Sequence, residues 1–198
     1  MTCIMHGGKQ QNAMKFSSIE IKEIAKAWLA VSLIFGIAFV GLSSSLIIAI
    51  PIALITAGIG FLLHEMAHKY VAQRYGCWAE FRANNSMLLF GLLISFTGFV
   101  LVAPGGVYIH GATAKQHGRI AFAGPMTNVL LAIIFYLLAG IMTAPLLIEI
   151  MKYGFKINAL LGVFNMIPFP PFDGYSVWRW NKIAYFAGII SAGILLAV

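Results

Sequence analysis

Residues 46–70 read LIIAIPIALITAGIGFLLHEMAHKY, an apolar run that ends in a cluster of ionisable side chains. An α-helix rises 1.5 Å per residue, so about 20 apolar residues are needed to cross a hydrocarbon core about 30 Å thick. The stretch Leu46–His68 reaches that length, although Pro51 interrupts it. Ionisable groups are costly at membrane depth, so those at the end of this stretch indicate a functional site.

The composition of the whole chain excludes a water-soluble globule. Of its 198 residues, 61% are hydrophobic and 10% are charged, whereas about a quarter of the residues in soluble domains are charged. Two cysteines are too few for a disulfide scaffold. The net charge of +7 does not indicate nucleic acid, because cations in a membrane protein are distributed relative to the bilayer. The composition therefore predicts an integral protein of the lipid bilayer with no nucleic-acid partner.

Several further apolar stretches predict an all-α polytopic protein, a helical bundle of about five to six transmembrane helices. They are Ala27–Leu42, Met87–Val102, Ile120–Thr143, Ile157–Trp178 and Ile183–Val198. We expect the polar residues 1–26 to form a cytoplasmic tail and residues 27–198 to form one membrane domain. The stretch at 87–102 contains glycines, β-branched and aromatic residues and an Ala-Pro-Gly-Gly exit, which fit a strand or re-entrant loop at least as well as a helix.

The distribution of cations favours a non-crossing segment at 87–102. If that segment does not cross, all of the 13 Lys and Arg residues except Lys152 and Lys156 lie on one side of the membrane. The positive-inside rule identifies that side as the cytoplasm. We therefore expect a multi-pass protein of the cell membrane, with its N-terminus and its active site toward the cytoplasm.

The segment His64-Glu65-Met66-Ala67-His68 has the pattern His-Glu-x-x-His. Residues four apart share one face of a helix, with Cβ atoms roughly 6 Å apart. Two imidazole nitrogens at that spacing can bind one Zn²⁺ at about 2.0–2.1 Å each. Glu65 is rotated away from that face, so it is better placed to act as a general base than as a third ligand. The alternative is a chance match on a helix that reaches the membrane interface.

Asp173 is the candidate for the third zinc ligand, since catalytic zinc sites usually have three protein ligands. It is the sole aspartate of the chain and ends the segment Asn165-Met-Ile-Pro-Phe-Pro-Pro-Phe-Asp173-Gly174. The prolines prevent a regular helix there, and broken backbone at membrane depth is tolerated where it lines a cavity. The alternative is a kinked helix that ends in an Asp-Gly turn at the surface.

These two motifs together resemble the site-2 protease family of intramembrane zinc metalloproteases. A Gly-Pro-containing helix lies between the motifs in that family, and Gly124-Pro125-Met126-Thr127-Asn128 corresponds to it. The resemblance covers about residues 46–180. It implies a membrane-associated β-region, here about 84–110, between the His-Glu-x-x-His helix and the next span.

The resemblance also implies a function, namely hydrolysis of peptide bonds within transmembrane helices of substrate proteins, as in regulated intramembrane proteolysis. By the same resemblance His64, His68 and Asp173 would hold one zinc ion per chain. Glu65 would be the general base, and Asn165 would help to hold the substrate carbonyl or oxyanion.

Other classes of membrane protein share some of these features. A zinc transporter needs ionisable residues along a path across the bilayer, and the opposite half of these spans has almost none. A pseudoprotease that binds zinc without catalysis typically loses the base, which is present here as Glu65. A prenyl-protein endopeptidase is expected to supply a later glutamate as third ligand, and neither Glu80 nor Glu149 has that setting.

Overall fold

The computed structural model describes residues 14–100 and 104–198, and helices dominate this part of the chain. Seven helices are numbered here in chain order: α1 (Ser18–Val40), α2 (Leu46–Arg74), α3 (Asn85–Ser95), α4 (Ala114–Ile141), α5 (Pro145–Asn165), α6 (Asp173–Trp180) and α7 (Lys182–Ala197). Three of them, α1, α2 and α4, are long and apolar enough to cross a membrane. Helix α5 has 21 residues but carries three charged side chains, and α7 has 16 residues. The expected polytopic helical membrane protein is confirmed.

Helix α1 begins earlier than the apolar pattern indicates. The Ser17 side chain caps it by accepting a hydrogen bond from the Glu20 backbone N–H at 3.1 Å. Residues 18–26, which we assigned to the tail, therefore belong to the same helix as the first apolar stretch, and the boundary between tail and membrane domain at residue 26 stays a prediction. Residues 1–13 of that tail lie outside the described part of the chain.

Helix α2 carries the two histidines and is continuous despite Pro51. A π-helical turn, Leu54–Gly58, follows the proline and leads into the segment Ile59–Arg74. π-turns leave carbonyls poorly matched to the regular ladder, and the Trp28 indole N–H donates to the Leu54 carbonyl at 3.2 Å. Helix α2 therefore stays intact from the long apolar run to the His-Glu-x-x-His motif.

A two-stranded antiparallel sheet joins α2 to α4. Strand β1 (Trp78–Ala83) pairs with β2 (Gly105–His110), with Trp78 opposite His110 and Ala83 opposite Gly105. The expected β-region is therefore present, but its first strand precedes residue 84.

Of the two forms expected for residues 87–102, a strand or a re-entrant loop, the strand is wrong for the first part, because residues 85–95 form helix α3. Met and Leu, which favour helices, fill most of this segment, and the Asn84 side chain caps it by accepting from the Met87 N–H at 3.1 Å. Eleven residues span only about 16 Å, so α3 is too short to cross a bilayer. Residues 101–103 lie outside the described part of the chain.

Helix α4 organises the site by packing against α2, α5 and α6. A capping box formed by Thr113 and Gln116 starts it. Its first turns lie beside the end of α2 that carries the histidines, because the His68 Nδ1 contacts the Ile120 carbonyl. The ends of α2 and α5 and the start of α4 meet at one level, since residues of all three helices line one cavity. This level holds the candidate site.

Candidate metal centre and active site

His64 and His68 lie one turn apart on α2 and are both buried. Their Nε2 atoms are 2.9 Å from each other. The expected shared face of the helix is therefore present, and the two imidazoles converge on one point.

Asp173 reaches the same point from the other side. Helix α5 ends at Asn165, and the proline-rich residues that follow turn the chain so that Asp173 is the first residue of α6. One carboxylate oxygen, Oδ2, lies 3.1 Å from the His64 Nε2 and 3.2 Å from the His68 Nε2. The structure thus brings together the three residues that the sequence selected, and these form the only group of three potential metal ligands in the part of the chain it describes.

The second nitrogen of each imidazole has a fixed acceptor. The His64 Nδ1–H donates to the Asn128 Oδ1 at 2.6 Å, and the His68 Nδ1–H donates to the Ile120 carbonyl at 2.8 Å. A neutral imidazole that carries its proton on Nδ1 presents a lone pair on Nε2. Hydrogen bonds of this kind orient metal-ligating histidines in proteins. Both Nε2 lone pairs are therefore available at the point where Asp173 also arrives.

These residues fit a zinc ion. Two imidazole nitrogens and a carboxylate oxygen repel one another at about 3 Å unless a metal ion or a proton lies among them, and two histidines with one carboxylate form a familiar zinc donor set. A Cβ at Gly124 would overlap the His64 and His68 Nε2 atoms. The space in front of the two ligand nitrogens is therefore kept open by a glycine on α4.

Glu65 has the setting expected of a base. Its side chain is buried, and its Oε2 atom has no hydrogen-bond partner among the described residues. A buried polar atom without a partner is costly, and this one borders the cavity that His64, His68 and Asp173 also line. Glu65 can therefore exchange a proton with a molecule held in that cavity.

The cavity has a volume of about 310 Å³, and both polar and apolar elements enclose it. Strand β2 contributes Gly105, Gly106 and Val107, and the end of α5 contributes Asn165. The Asn165 Nδ2 donates to the Leu161 carbonyl at 3.0 Å, which leaves its second amide hydrogen without a partner among the described side chains. The proposed contact of Asn165 with an oxyanion stays a prediction.

The residues that support the candidate ligands were not predicted from the sequence. Asn128 was noted only within a Gly-Pro segment, and Asn158, Gly60 and the Ile120 carbonyl were not considered. The sequence does contain a signal for Asn128 and Asn158. Both lie in apolar helices and are fully buried, and a buried amide in a membrane helix is costly unless it has a specific partner. Which partner each amide meets depends on how the helices cross, and the sequence does not contain that information in a readable form.

Comparison with known proteins identifies the family. Peptidase family M50 matches residues 52–156. The chain is 41% identical to "Putative zinc metalloprotease MJ0611" of Methanocaldococcus jannaschii over 86% of this chain and 89% of that protein. It is 34% identical to "Putative zinc metalloprotease Rip3" of Mycobacterium tuberculosis over 66% of this chain and 32% of that protein. It is 28% identical to "Putative zinc metalloprotease YwhC" of Bacillus subtilis, over 64% of this chain and 67% of that protein.

No solved structure matches the chain. The family match covers more than half of the chain and includes the His-Glu-x-x-His helix, and the relative from M. jannaschii aligns with nearly all of it. The resemblance inferred from the two motifs is therefore confirmed, and the chain belongs to peptidase family M50.

Proposed function

We propose that the chain is a zinc-dependent endopeptidase of the cell membrane that hydrolyses peptide bonds within transmembrane segments of other proteins. The observation that carries this proposal is the convergence of His64, His68 and Asp173 beside the buried Glu65. The helices that supply and surround these groups are long and apolar. The expected orientation, with N-terminus and active site toward the cytoplasm, belongs to the same proposal.

The chemistry of the proposal rests on three roles of the chain's own residues. A zinc ion held by His64, His68 and Asp173 would polarise the substrate carbonyl and lower the pKa of water. Glu65 accepts the proton of the attacking water and later gives it to the leaving amine. Asn165 borders the cavity and donates a hydrogen bond to the oxygen of the carbonyl as negative charge develops on it.

The substrate must leave its helical form before it can be cleaved, because helical carbonyls are engaged in hydrogen bonds within the helix. An unwound segment has free backbone groups, and pairing with the edge of a sheet satisfies them. The two edges of the β1–β2 sheet differ in their ability to accept such a segment.

The outer edge of β1 is occupied by side chains from α1 and α2. The Phe81 N–H donates to the Glu20 carboxylate at 2.9 Å, and the Ala83 N–H donates to the Glu23 carboxylate at 3.2 Å. The Lys69 ammonium donates to the Ala79 carbonyl at 3.1 Å. One outward backbone group of each of these three alternate residues is therefore satisfied, which protects this edge from pairing with another strand.

The outer edge of β2 faces the cavity. Backbone groups alternate in direction along a strand, and Phe81 and Ala83, whose N–H groups point away from β2, lie opposite Val107 and Gly105. The backbone groups of these two β2 residues and of Ile109 consequently point away from β1. All three residues line the cavity. The Val107 N–H donates to the Glu65 carboxylate, so we propose that the unwound substrate pairs with the remaining backbone groups of this edge, next to Glu65.

The test of catalysis is cleavage of a transmembrane-helix substrate by the purified chain in lipid vesicles. We expect Glu65→Gln to abolish cleavage while zinc content stays at the wild-type level, since Glu65 is not a ligand. An active Glu65→Gln variant would refute the assignment of the base. A wild-type protein that binds zinc but cleaves no membrane substrate would instead favour a non-catalytic zinc protein.

The test of substrate pairing uses Ile109→Pro, with Ile109→Ala as control. Proline removes one N–H from the open edge of β2, whereas alanine removes only side-chain contacts. We expect Ile109→Pro to lower cleavage by at least about tenfold, the effect of a lost interaction of about 1.4 kcal/mol in the transition state. Equal rates for the two variants would contradict pairing at this edge.

A further inference from the structure

We infer that Asn158 is a positioning residue for the metal centre, because it holds Asn128 in the one orientation that leaves the His64 Nε2 free for a metal. The inference rests on the proposed zinc site and concerns a residue that touches none of the ligands directly. Both asparagines are fully buried, Asn128 on α4 and Asn158 on α5. They connect α5 to the metal motif on α2.

A continuous chain of hydrogen bonds runs from α5 to His64. The Asn158 Nδ2 donates to the Gly154 carbonyl of its own helix at 2.8 Å, so its Oδ1 atom faces α4. The Asn128 Nδ2 donates to this Oδ1 at 3.1 Å and to the Gly60 carbonyl at 3.2 Å. The Asn128 Oδ1 then accepts from the His64 Nδ1–H at 2.6 Å.

The direction of this chain is determined by the two acceptors that face the Asn128 amide nitrogen. An amide nitrogen has two hydrogens, and both hydrogens of Asn128 are used by Asn158 and Gly60. If the Asn128 amide flipped, its oxygen would face two acceptor oxygens and its nitrogen would face the His64 Nδ1. His64 would then have to accept at Nδ1 and carry its proton on Nε2, which removes the lone pair that a metal needs.

The other histidine does not depend on such a chain. The His68 Nδ1–H donates to the backbone carbonyl of Ile120, and a carbonyl held in a helix cannot exchange its oxygen for a donor. The tautomer of His64 therefore depends on side chains, whereas the tautomer of His68 depends on the backbone. A change at Asn158 should act on His64 alone.

Helices α2 and α5 pack closely at Asn158. A Cβ at Gly60 would overlap the Asn158 amide group, so α2 and α5 approach closely enough for the amide only because residue 60 is glycine. Asn158 is fully buried, and a buried amide left without its partners is costly. This close approach is the second, independent sign that Asn158 is held in a fixed position.

The first experiment measures zinc affinity of the purified full-length protein by competition with a chelator. Asn158→Leu keeps a similar volume but removes the acceptor for Asn128. We expect zinc affinity to fall by about 10–100-fold, the effect of removing a partner that orients a ligating histidine. The control is Thr56→Val, which removes a buried hydroxyl from α2 that donates only to the Ile52 carbonyl; it should keep wild-type zinc affinity.

A double substitution separates positioning from a general loss of packing. Since Asn158 acts through Asn128, Asn128→Leu with Asn158→Leu should lose no more zinc affinity than Asn128→Leu alone. Independent, additive losses would overturn the inference, and so would wild-type affinity in Asn158→Leu. If the wild-type protein itself binds no zinc, the proposed function fails first, so the two failures are distinguishable.

A measurement on the wild-type protein covers the case in which Asn158→Leu does not fold. In the zinc-free protein with ¹⁵N-labelled histidine, NMR assigns the proton-bearing nitrogen of His64. The chain of hydrogen bonds from Asn158 to His64 requires a proton on the His64 Nδ1. A His64 that lacks a proton on Nδ1 would overturn the inference without any substitution, whereas a second proton on Nε2, which faces the Asp173 carboxylate, is compatible with it.

Discussion

Gly124 shows how a single missing side chain makes room for a metal. It lies on α4 directly over the two ligand nitrogens, where a Cβ would overlap both histidine Nε2 atoms. In a membrane helix a small residue usually indicates close helix packing. Here the helix packs close to the imidazoles, so the glycine serves the site as well as the helix contact.

The substitution Gly124→Ala should therefore remove zinc binding. The added methyl group would lie at the point where His64, His68 and Asp173 converge, so we expect the zinc content to fall from one ion per chain to nearly none. Gly140→Ala is the matched control on the same helix, because a Cβ at residue 140 meets no atom within 4 Å. Equal zinc contents in both variants would contradict the placement of the metal.

At the scale of elements, a buried ion pair joins α1, α2 and β1. The Lys69 ammonium lies 2.6 Å from the Glu20 carboxylate, and both side chains are at most 1% exposed. Lys69 follows His68 directly, and Glu20 also binds the backbone of β1 at Phe81. The pair therefore sets the position of the sheet relative to the metal motif.

Breaking this pair from one side should be strongly destabilising. We expect Lys69→Met to lower the free energy of unfolding by about 3–5 kcal/mol, since it leaves the Glu20 carboxylate buried without its partner. The double variant Glu20→Leu with Lys69→Met should recover much of that loss. Denaturation of the purified variants in detergent checks this, and a double variant that is less stable than Lys69→Met would contradict it.

The proposed orientation of the whole molecule puts the candidate site on the cytoplasmic side of the membrane. Lys152 on α5 is expected outside the cell and Lys115 on α4 inside, and both side chains are exposed. Cysteines introduced at these two positions should react differently in intact cells. A membrane-impermeant maleimide should label Lys152→Cys but label Lys115→Cys only after lysis, with the wild-type chain as background. The reverse labelling pattern would contradict the orientation.

The candidate site residues were predictable because their information is local. His64, Glu65 and His68 are fixed by one helical turn, and the prolines before Asp173 predict the broken backbone that carries it. The sheet was only partly predictable. Strand β1 alternates buried Ala79 and Phe81 with more exposed neighbours, a short period-two signal that the apolar runs beside it obscured.

The supporting contacts were not predictable from local patterns. Asn128 and Asn158 are far apart in sequence, and their hydrogen bond exists because α4 and α5 pack side by side at that level. The same holds for Glu20 and Lys69, whose pairing depends on how α1 crosses α2. Local sequence therefore predicts the ligands, and helix packing determines what orients them.

The most direct test of the account is the metal content of the purified chain, wild type against Asp173→Ala, with protein fold monitored by circular dichroism. The wild type should contain one zinc ion per chain, because His64, His68 and Asp173 form one ligand set. Asp173→Ala should retain its helical spectrum and lose most of the zinc. Full zinc content in Asp173→Ala, or a folded wild type that takes up none, would contradict the proposed zinc site.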